Sequence, residues 1–482
     1  MEMRKAAVFL LICVLFLSCI LPAASAEPLP AQERISGEFA YVLKDDGSAM
    51  ITRYEGKQAV LNVPQVLDGI AVTAVGSHTF QANDALTEVT LPEGIVSLGD
   101  YAFLHCDNLA KVSLPASLTE VGPNPFTGCE LLTGLAVAED NPNLRIEEDV
   151  LFSLDDKRLI RYPMGKEPGA YTIPGGIRII GASAFDQCEN IEEILIPDET
   201  ALTAIGRRAF YQCDNLRAIN LENANISTIG ADAFGGCRRL EKLAFPEKIT
   251  SIAERAFQDC SGLKELILPE AITSIGEMAF RNCESLASIR LPEGVTAIGK
   301  NTFAGCKELT EVFFPEDLSY IGGGAFQNCE SLKALELPEA VDYIGSEAFD
   351  GCTALEDIEI PDMCSFIGSY AFSRCQSLKH LVLPSYVSSI NPFTFSGCIA
   401  LTGIELPEEL EEIGENAFFC CYALKEIVIP DPVEVIGDYA FSNCVSLETV
   451  ELPADLESVG PNTFEKCGSL TDLPDLSDLY EE

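Results

Sequence analysis

The chain has 482 residues and a formal net charge of −44, from 31 Lys and Arg against 75 Asp and Glu. A single core rarely exceeds ~300 residues, so this length indicates several domains or an extended array. The charge disfavours nucleic acid and anionic membrane surfaces as partners, because binding phosphate requires basic residues. With 3 His and no Trp, the chain has few residues for histidine-based catalysis or zinc binding.

The first segment has the pattern of an export signal. A basic start precedes an apolar run at residues 6–21 and a small-residue cleavage site that ends at Ala26. We therefore expect a secreted or cell-surface protein, released by cleavage near Ala26. A retained membrane anchor and a lipoprotein attached through Cys19 are the alternatives. No second apolar stretch of about 20 residues follows, so we expect no membrane span in the mature chain.

A recurring Phe-x-x-Cys pair organises the rest of the sequence. From Phe234 to Phe464 every step between these Phe residues is 23 residues long. One earlier step, from Phe126 to Phe185, is 59 residues long and therefore contains an insertion of 36 residues. Ten equal consecutive steps are not a chance event, and a fixed period of this size indicates stacked structural repeats.

The unit between Cys260 and Phe280 shows how each repeat begins. Leu263, Leu266 and Leu268 form the pattern Leu-x-x-Leu-x-Leu, and the last two alternate as in a strand with one buried face. A proline follows and ends the strand, because proline has no N–H to donate to a neighbouring strand. A single unit cannot bury its apolar edge alone, so stacking must supply the core.

The second half of the unit returns the chain. Ile272 and Ile275 predict a shorter inward-facing edge, and Gly276 is suited to a turn with positive φ. We expect residues 277–280 to form one helical turn.

The complete pattern, Ile-Gly-x-x-Ala-Phe-x-x-Cys-x-x-Leu-x-x-Ile-x-Leu-Pro, resembles the BspA-like leucine-rich repeat family of bacterial and some protist surface proteins, over roughly residues 64–473. The resemblance implies an α/β fold, a right-handed, β-rich leucine-rich-repeat solenoid with an N-terminal β cap and one inserted β-hairpin. We expect the hairpin to protrude without breaking the sheet. The expected organisation is a signal peptide at 1–26, a linker at 27–37, the cap and the entry to the first repeat at 38–76, repeats at 77–138, the hairpin module at 139–174, repeats at 175–473 and an acidic tail at 474–482.

The cysteines follow the repeat. Neighbouring coils lie ~4.8 Å apart, whereas a disulfide needs Cβ atoms ~3.8 Å apart, so we interpret the column as buried, reduced thiols. A metal array and disulfides between alternate coils are the alternatives. We expect Cys364 to be buried and Cys420 to be an exposed thiol, because its slot holds polar residues or Gly in other units. The column consists of Cys106, Cys129, Cys188, Cys213, Cys237, Cys260, Cys283, Cys306, Cys329, Cys352, Cys375, Cys398, Cys421, Cys444 and Cys467.

The outward position at the centre of each strand varies between units, unlike the scaffold columns. Large apolar, cationic and acidic residues stand there, on the concave face that solenoids commonly use for ligands. Ordinary β-propensity on a partly screened sheet would also place apolar residues there. The candidate ligand-binding residues are Leu195, Ile267, Arg290, Phe313 and Glu336.

Acidic residues recur just after the strand proline. They offer oxygen ligands, so weak Ca²⁺ binding is one expectation, and solvated turns that keep the protein soluble are the other. The row consists of Glu93, Asp198, Glu222, Glu247, Glu270, Glu293, Glu316, Glu339, Asp362, Glu408 and Asp431.

Nothing in the sequence indicates an enzyme. His78, His105 and His380 lie in different units without a recurrent catalytic partner, and no phosphate-binding loop occurs, so we expect no cofactor. The resemblance implies an exported interaction protein that binds extracellular or surface proteins in an adhesion-type role. An exported glycan-binding or cell-envelope structural module is the alternative.

Overall fold

The structure is a computed structural model that describes residues 32–123, 125–164, 166, 168–471, 476 and 479. The expected signal peptide and most of the expected acidic tail lie outside these residues. The described residues form β-strands and one short 3-10 helix, and they contain no α-helix. The solenoid is confirmed, but it is an all-β solenoid where we expected an α/β fold.

The N-terminal part of the chain contains the cap and the first coils. Its strands are β1 (Arg34–Ser36), β2 (Phe39–Leu43), β3 (Ala49–Tyr54), β4 (Val60–Asn62), β5 (Val66–Leu67), β6 (Ile70–Val75), β7 (Glu88–Thr90), β8 (Ser97–Leu98), β9 (Lys111–Leu114), β10 (Glu120–Val121) and β11 (Gly134–Val137). The insertion contains β12 (Leu144–Glu147), β13 (Val150–Ser153) and β14 (Arg158–Arg161).

The coils after the insertion contribute two strands each. The first strands are β15 (Gly169–Thr172), β17 (Ile191–Leu195), β19 (Ala218–Ile219), β21 (Lys242–Ala244), β23 (Glu265–Ile267), β25 (Ser288–Arg290), β27 (Glu311–Phe313), β29 (Ala334–Glu336), β31 (Asp357–Glu359), β33 (His380–Val382), β35 (Gly403–Glu405), β37 (Glu426–Val428) and β39 (Thr449–Glu451). The second strands are β16 (Ile179–Ile180), β18 (Ala204–Ile205), β20 (Thr228–Ile229), β22 (Ser251–Ile252), β24 (Ser274–Ile275), β26 (Ala297–Ile298), β28 (Tyr320–Ile321), β30 (Tyr343–Ile344), β32 (Phe366–Ile367), β34 (Ser389–Ile390), β36 (Glu412–Ile413), β38 (Val435–Ile436) and β40 (Ser458–Val459). The 3-10 helix spans Leu221–Asn223.

Each strand of these coils pairs in parallel with its equivalent in at least one neighbouring coil, so that the same columns lie above one another. Leu243 pairs with Leu266, and Ile252 pairs with Ile275. The first strands form one side of the solenoid and the second strands another. In most of these first strands a middle residue points inward between two outward neighbours, so the apolar columns meet in one interior that runs through the coils after the insertion.

The third side of each coil is built from turns, not from the helical turn that we expected. In the coil of Phe257, the N–H groups of Arg255, Phe257 and Asp259 donate to carbonyls of the next coil at 3.0, 2.9 and 2.7 Å. The residues between them donate within their own coil, as Gln258 does to the Arg255 carbonyl. Arg255 and Asp259 have φ of 54° and 60°. This alternation sends hydrogen bonds along the solenoid, which an α-helix cannot do because its N–H groups bond within the helix.

The glycine that recurs after the second strand of most coils has a different role from the one expected. Gly276 is not among the glycines with positive φ. A Cβ atom at this position would lie 2.5 Å from the backbone nitrogen of Glu254 in the preceding coil. The column therefore selects Gly because the backbones of successive coils approach closely there, although Ala253 and Asn391 occupy it in two coils.

Two ladders run through the interior. The Phe rings of neighbouring coils stack with centroids 4.7–5.7 Å apart and planes within 17°. Beside them, each column thiol donates to a carbonyl of the preceding coil, as Cys260 does to the Phe234 oxygen at 3.1 Å. All described cysteines are free thiols, so the structure contains the reduced column that we expected. Burial raises the pKa of Cys306, Cys352 and Cys398 to about 12.

Three cysteines need separate description. Cys364 is buried, as expected. Cys420 is half-buried and has φ of 62°. The equivalent position in other coils holds polar residues and Gly because its backbone is left-handed, and not only because its side chain is exposed to solvent. Cys467, in the last coil, is also half-buried, so Cys420 is not alone in its accessibility.

The cap forms as expected. Strands β1, β2 and β3 pair antiparallel, and Gly47 at φ 81° lies in the turn between β2 and β3. Strand β3 then pairs in parallel with β6, which begins the row of second strands. The cap therefore covers the first coil and removes one open edge of the solenoid.

The insertion breaks the sheets, which contradicts our expectation of a protruding hairpin. It contains the expected antiparallel hairpin, β12–β13, and a third strand, β14, that pairs in parallel with β16. The row of first strands ends at β11 and resumes at β15, and the row of second strands ends at β10. Val150 and Phe152 pack in the C-terminal core, whereas Leu151 packs in the N-terminal core. The inserted sheet is thus a wall with a hydrophobic core on each side.

Buried charges lie beside this wall. Arg161 is only 2% exposed and donates to the carbonyls of Ser183 and Asp186 at 3.2 and 3.3 Å. The carboxylate of Asp186 is fully buried and lies 3.6 Å from the Arg208 guanidinium. Burial raises the pKa of Asp186, and the two guanidinium groups oppose that shift. Asp186 thus has Arg208 as its ion-pair partner and Arg161 has two backbone carbonyls, while Arg161 Nε and Nη2 and both Asp186 carboxylate oxygens have no hydrogen-bond partner among the described residues.

We predict that Gly276→Ala destabilises the solenoid. The added Cβ would meet the Glu254 backbone, so one coil must shift, at a cost of about 1–3 kcal/mol in the free energy of unfolding. Gly403→Ala is the matched control, since its Cβ would meet only the His380 ring at 3.7 Å. Urea denaturation measures both variants. Equal midpoints for the two would contradict the close-approach explanation.

We also predict an order of thiol reactivity in the native protein. Brief labelling with a bulky maleimide should modify Cys420 first and Cys467 more slowly, since burial raises the pKa of Cys467 to about 11. The buried column thiols should react only when the solenoid opens. Peptide mass spectrometry after timed labelling gives the order. Fast modification of Cys306 under native conditions would refute the inward assignment of the column.

Candidate functional site

The outward residues of the first strands form the surface that we call the first-strand face. Strand geometry places every second residue of these strands in solvent, as in β25, where Ser288 and Arg290 are exposed and Ile289 is buried. The parallel register aligns the outward residues of neighbouring coils into rows. The side-chain type in each row therefore decides the chemistry of the surface.

Three of the candidate residues form one compact strip. Arg290 and Phe313 are paired in the register of β25 and β27, and the Arg290 guanidinium carbon lies 4.3 Å from the centre of the Phe313 ring. Ile267 lies on β23, the strand beside β25. Ile267 and Phe313 end strands β23 and β27 and are 58% and 43% exposed, so both present large apolar side chains to solvent. We call Ile267, Arg290 and Phe313 the binding-strip. It combines an apolar, a cationic and an aromatic side chain.

The other two candidates lie at or beyond the ends of the strip. Glu336 is on β29, beside β27, and it pairs in register with Glu359 rather than with a basic residue. Leu195 is on β17, and β19 and β21 separate it from β23. The structure thus places Glu336 next to the binding-strip and Leu195 apart from it. Cys420 lies in the turn side of its coil, away from the first-strand face.

An acidic region that the sequence analysis did not single out continues the first-strand face toward the C-terminus. A groove of about 920 Å³ runs there between His380 and Leu452. Val428 is 59% exposed in it and pairs in register with Glu451, and Glu405 and Glu426 also line the groove. The alternation of Glu and Val in the central row was visible in the sequence, but the groove depends on how the coils stack.

A second exposed feature was also missed. Tyr320, Tyr343 and Phe366 stack in one row on the second strands, with centroids 4.8 Å apart at each step. Their ring planes lie within 12° of each other. The signal was in the sequence, because the equivalent position in most other coils is Ser, Thr, Ala or Glu. We call these three residues the aromatic ladder.

The other sites expected from the sequence are metal sites. Within the described ranges, no group of three or more His, Cys, Asp or Glu side chains is arranged to hold a metal ion. Weak Ca²⁺ binding by the acidic turn row stays a prediction. In the same part of the chain, no helix has the length and apolar character that crossing a membrane requires.

Solved structures of leucine-rich repeat proteins are similar to this chain, and that of a Bacteroides ovatus protein supports the fold. A leucine-rich repeat protein from Bacteroides ovatus is 26% identical with a TM-score of 0.52, covering 88% of this chain and 95% of that one. A leucine rich cell surface protein from Faecalibacterium prausnitzii is 24% identical with a TM-score of 0.41, covering 88% and 95%. A leucine-rich repeat protein from Eubacterium ventriosum is 22% identical with a TM-score of 0.43, covering 66% and 94%.

The family comparison covers most of the chain. No curated protein has a significant match to it. The model of the BspA type leucine rich repeat region matches residues 68–153, 169–286, 250–379 and 342–471, and the gap between the first two matches falls within the inserted module. With the 23-residue period, the Phe and Cys columns and the stacked coils, these matches show that the chain belongs to the BspA-type leucine-rich repeat family.

Proposed function

We propose that this protein is an exported, non-catalytic interaction protein that binds other proteins through its first-strand face. The binding-strip carries the proposal. Its three side chains are the types enriched at the energetic centres of protein interfaces, where a few residues supply most of the binding energy. They remain exposed on a strand face although each of them has a large apolar surface to bury.

The arrangement of the strip suits a protein partner. The Arg290 side chain already stacks on Phe313, so part of the entropy cost of ordering the two is met before binding. The acidic groove on the same face adds carboxylates that would steer a partner with a basic patch. The strip and the groove together would bind a protein surface with one apolar contact and a flanking positive charge.

A location outside the cell is part of the proposal. The N-terminal pattern of a signal peptide supports it, and the similar protein from Faecalibacterium prausnitzii is described as a leucine rich cell surface protein. An adhesion-type role in binding extracellular or surface proteins would follow from such a location. Mass spectrometry of the exported protein should find Glu27 as the first residue, and an uncleaved N-terminus would contradict the assigned cleavage site.

The non-catalytic character is also a proposal. Leucine-rich repeats commonly act as interaction modules, although fold alone does not set function. His380 lies on the first-strand face, and its ring nitrogen lies 3.8 Å from Glu405 in an exposed setting. Such an exposed pair has no enclosed pocket in which to orient a substrate.

The aromatic ladder favours a second candidate function, in which the protein binds glycans of a cell surface or envelope. Exposed aromatic side chains have an apolar body and, in Tyr, a hydroxyl group that suits a ligand with both apolar and polar faces. Tyr320 and Phe366 are 41% and 37% exposed. The ladder lies on the second strands, so variants can separate it from the binding-strip.

We predict that Phe313→Ala lowers affinity for a protein partner at least tenfold, because it removes the ring on which Arg290 stacks. The melting temperature should change little, since Phe313 is already 43% exposed. The mature solenoid would be used in pull-downs against extracellular-matrix proteins and against cell-wall glycans, followed by titration of each captured ligand.

Two variants serve as controls for this prediction. Val382→Ala removes an exposed apolar side chain from the same row, outside both the binding-strip and the acidic groove, and should leave binding unchanged. Tyr343→Ala removes the middle ring of the aromatic ladder. Protein binding that survives Phe313→Ala would reject the strip, and glycan binding lost only in Tyr343→Ala would support the second function.

A further inference from the structure

The row of second strands has an open edge where the insertion interrupts it. Strand β10 pairs in parallel with β8, and among the described strands it has no partner on its other side. Strand β12 begins a separate sheet and pairs with β13. Open strand edges carry unpaired N–H and C=O groups and are ready templates for an added strand.

The hydrogen bonds show which backbone groups are open. The N–H groups of Glu120 and Gly122 donate to the Val96 and Leu98 carbonyls, at 3.1 and 2.9 Å. Since alternate residues of a strand direct their N–H and C=O groups to opposite sides, those of Val121 point away from β8.

The pair β22–β24 shows what is missing at this edge. Among the described second strands before β40, β20, β24 and β32 share with β10 the lack of a paired strand after them. The Thr250 and Ile252 carbonyls, equivalent to those of Thr119 and Val121, accept hydrogen bonds from Thr273 and Gly276 of the next coil. The Thr119 and Val121 carbonyls receive no such bond from any residue that the structure describes. The edge therefore retains the acceptors that a following coil would normally use.

A groove of about 660 Å³ gives access to this edge. Residues 119–122 and the equivalent segment 97–100 line it on one side, and the end of the β13–β14 hairpin closes it on the other. Gly76, Gly99 and Gly122 are among its lining residues, and the Asp100 carboxylate lies beside the Gly122 backbone.

The charge of the groove is strongly negative. Its lining includes the carboxylates of Asp100, Glu120, Asp155 and Asp156. Arg158 is the single basic side chain in the lining, and its guanidinium pairs with Asp156 at 3.1 Å. An occupant with basic side chains would therefore be attracted to this groove.

We propose that the β10 edge binds an extended, lysine- or arginine-containing peptide segment of a partner protein, which adds to the sheet as a strand parallel or antiparallel to β10. Peptide N–H groups donate to the Thr119 and Val121 carbonyls, and a peptide carbonyl accepts from the Val121 N–H. Basic side chains of the peptide lie against Glu120 and Asp155. This site is on a different side of the coil from the first-strand face, so it does not rest on the function proposed above.

The first test uses a defined probe, a fluorescein-labelled decapeptide of alternating Lys and Thr, titrated into the full mature protein at 150 mM salt. We expect saturable binding, and at least tenfold weaker binding to Glu120→Lys and Asp155→Lys. Glu412→Lys is the matched control, because Glu412 has the same place in its coil but β36 is paired on both sides. An equal loss in all three variants would show that only net charge attracts the peptide and would overturn the proposal.

The second test asks whether the peptide backbone takes part. A version of the decapeptide with every amide nitrogen methylated keeps the charges but cannot donate hydrogen bonds, and we expect it to bind at least tenfold more weakly. Hydrogen–deuterium exchange should show protection of residues 119–122 by the unmethylated peptide, with no change at residues 411–414. Equal affinity of the methylated peptide, or protection confined to the first-strand face, would refute strand addition at β10.

Discussion

Each coil of this protein has to place its backbone hydrogen bonds on the coils before and after it. This constraint explains the features that recur along the chain. Two short strands alone would leave most of a coil unpaired, so the turn side also directs alternate N–H groups to its neighbour, through residues such as Arg255 and Asp259 with positive φ. The interior then has room only for columns that repeat with the coil, which are the stacked Phe rings and the thiols beside them.

The same constraint explains why the insertion changes more than its own surroundings. A coil that lacks its usual successor leaves an edge, and the inserted sheet closes the interior by burying both of its faces. Entering the interior buries the charge of Arg161, which donates hydrogen bonds to two carbonyls of the next coil. The backbone of β10 is left without the coil that would have paired with it.

Only the outward side chains can vary from coil to coil without disturbing the hydrogen bonds and the packing between coils. On the first-strand face the central row changes from apolar and cationic around Phe313 to acidic around Val428. On the second strands, three aromatic residues interrupt a row of small side chains. A regular backbone thus presents distinct chemical surfaces at fixed spacing.

The sequence by itself determined the length of the repeat, the inward Phe and Cys columns and the candidate residues of the outward row. A 23-residue period shows directly which positions of different coils are equivalent. It did not reveal that Gly276 is needed for close approach between coils, or that the slot of Cys420 is left-handed, since composition alone does not separate backbone conformation from exposure. Only the tertiary structure decided the contact of Arg290 with Phe313, the position of the insertion as a wall and the open edge of β10. These depend on contacts between residues far apart in the chain, and the periodic pattern carries no information where the period is broken.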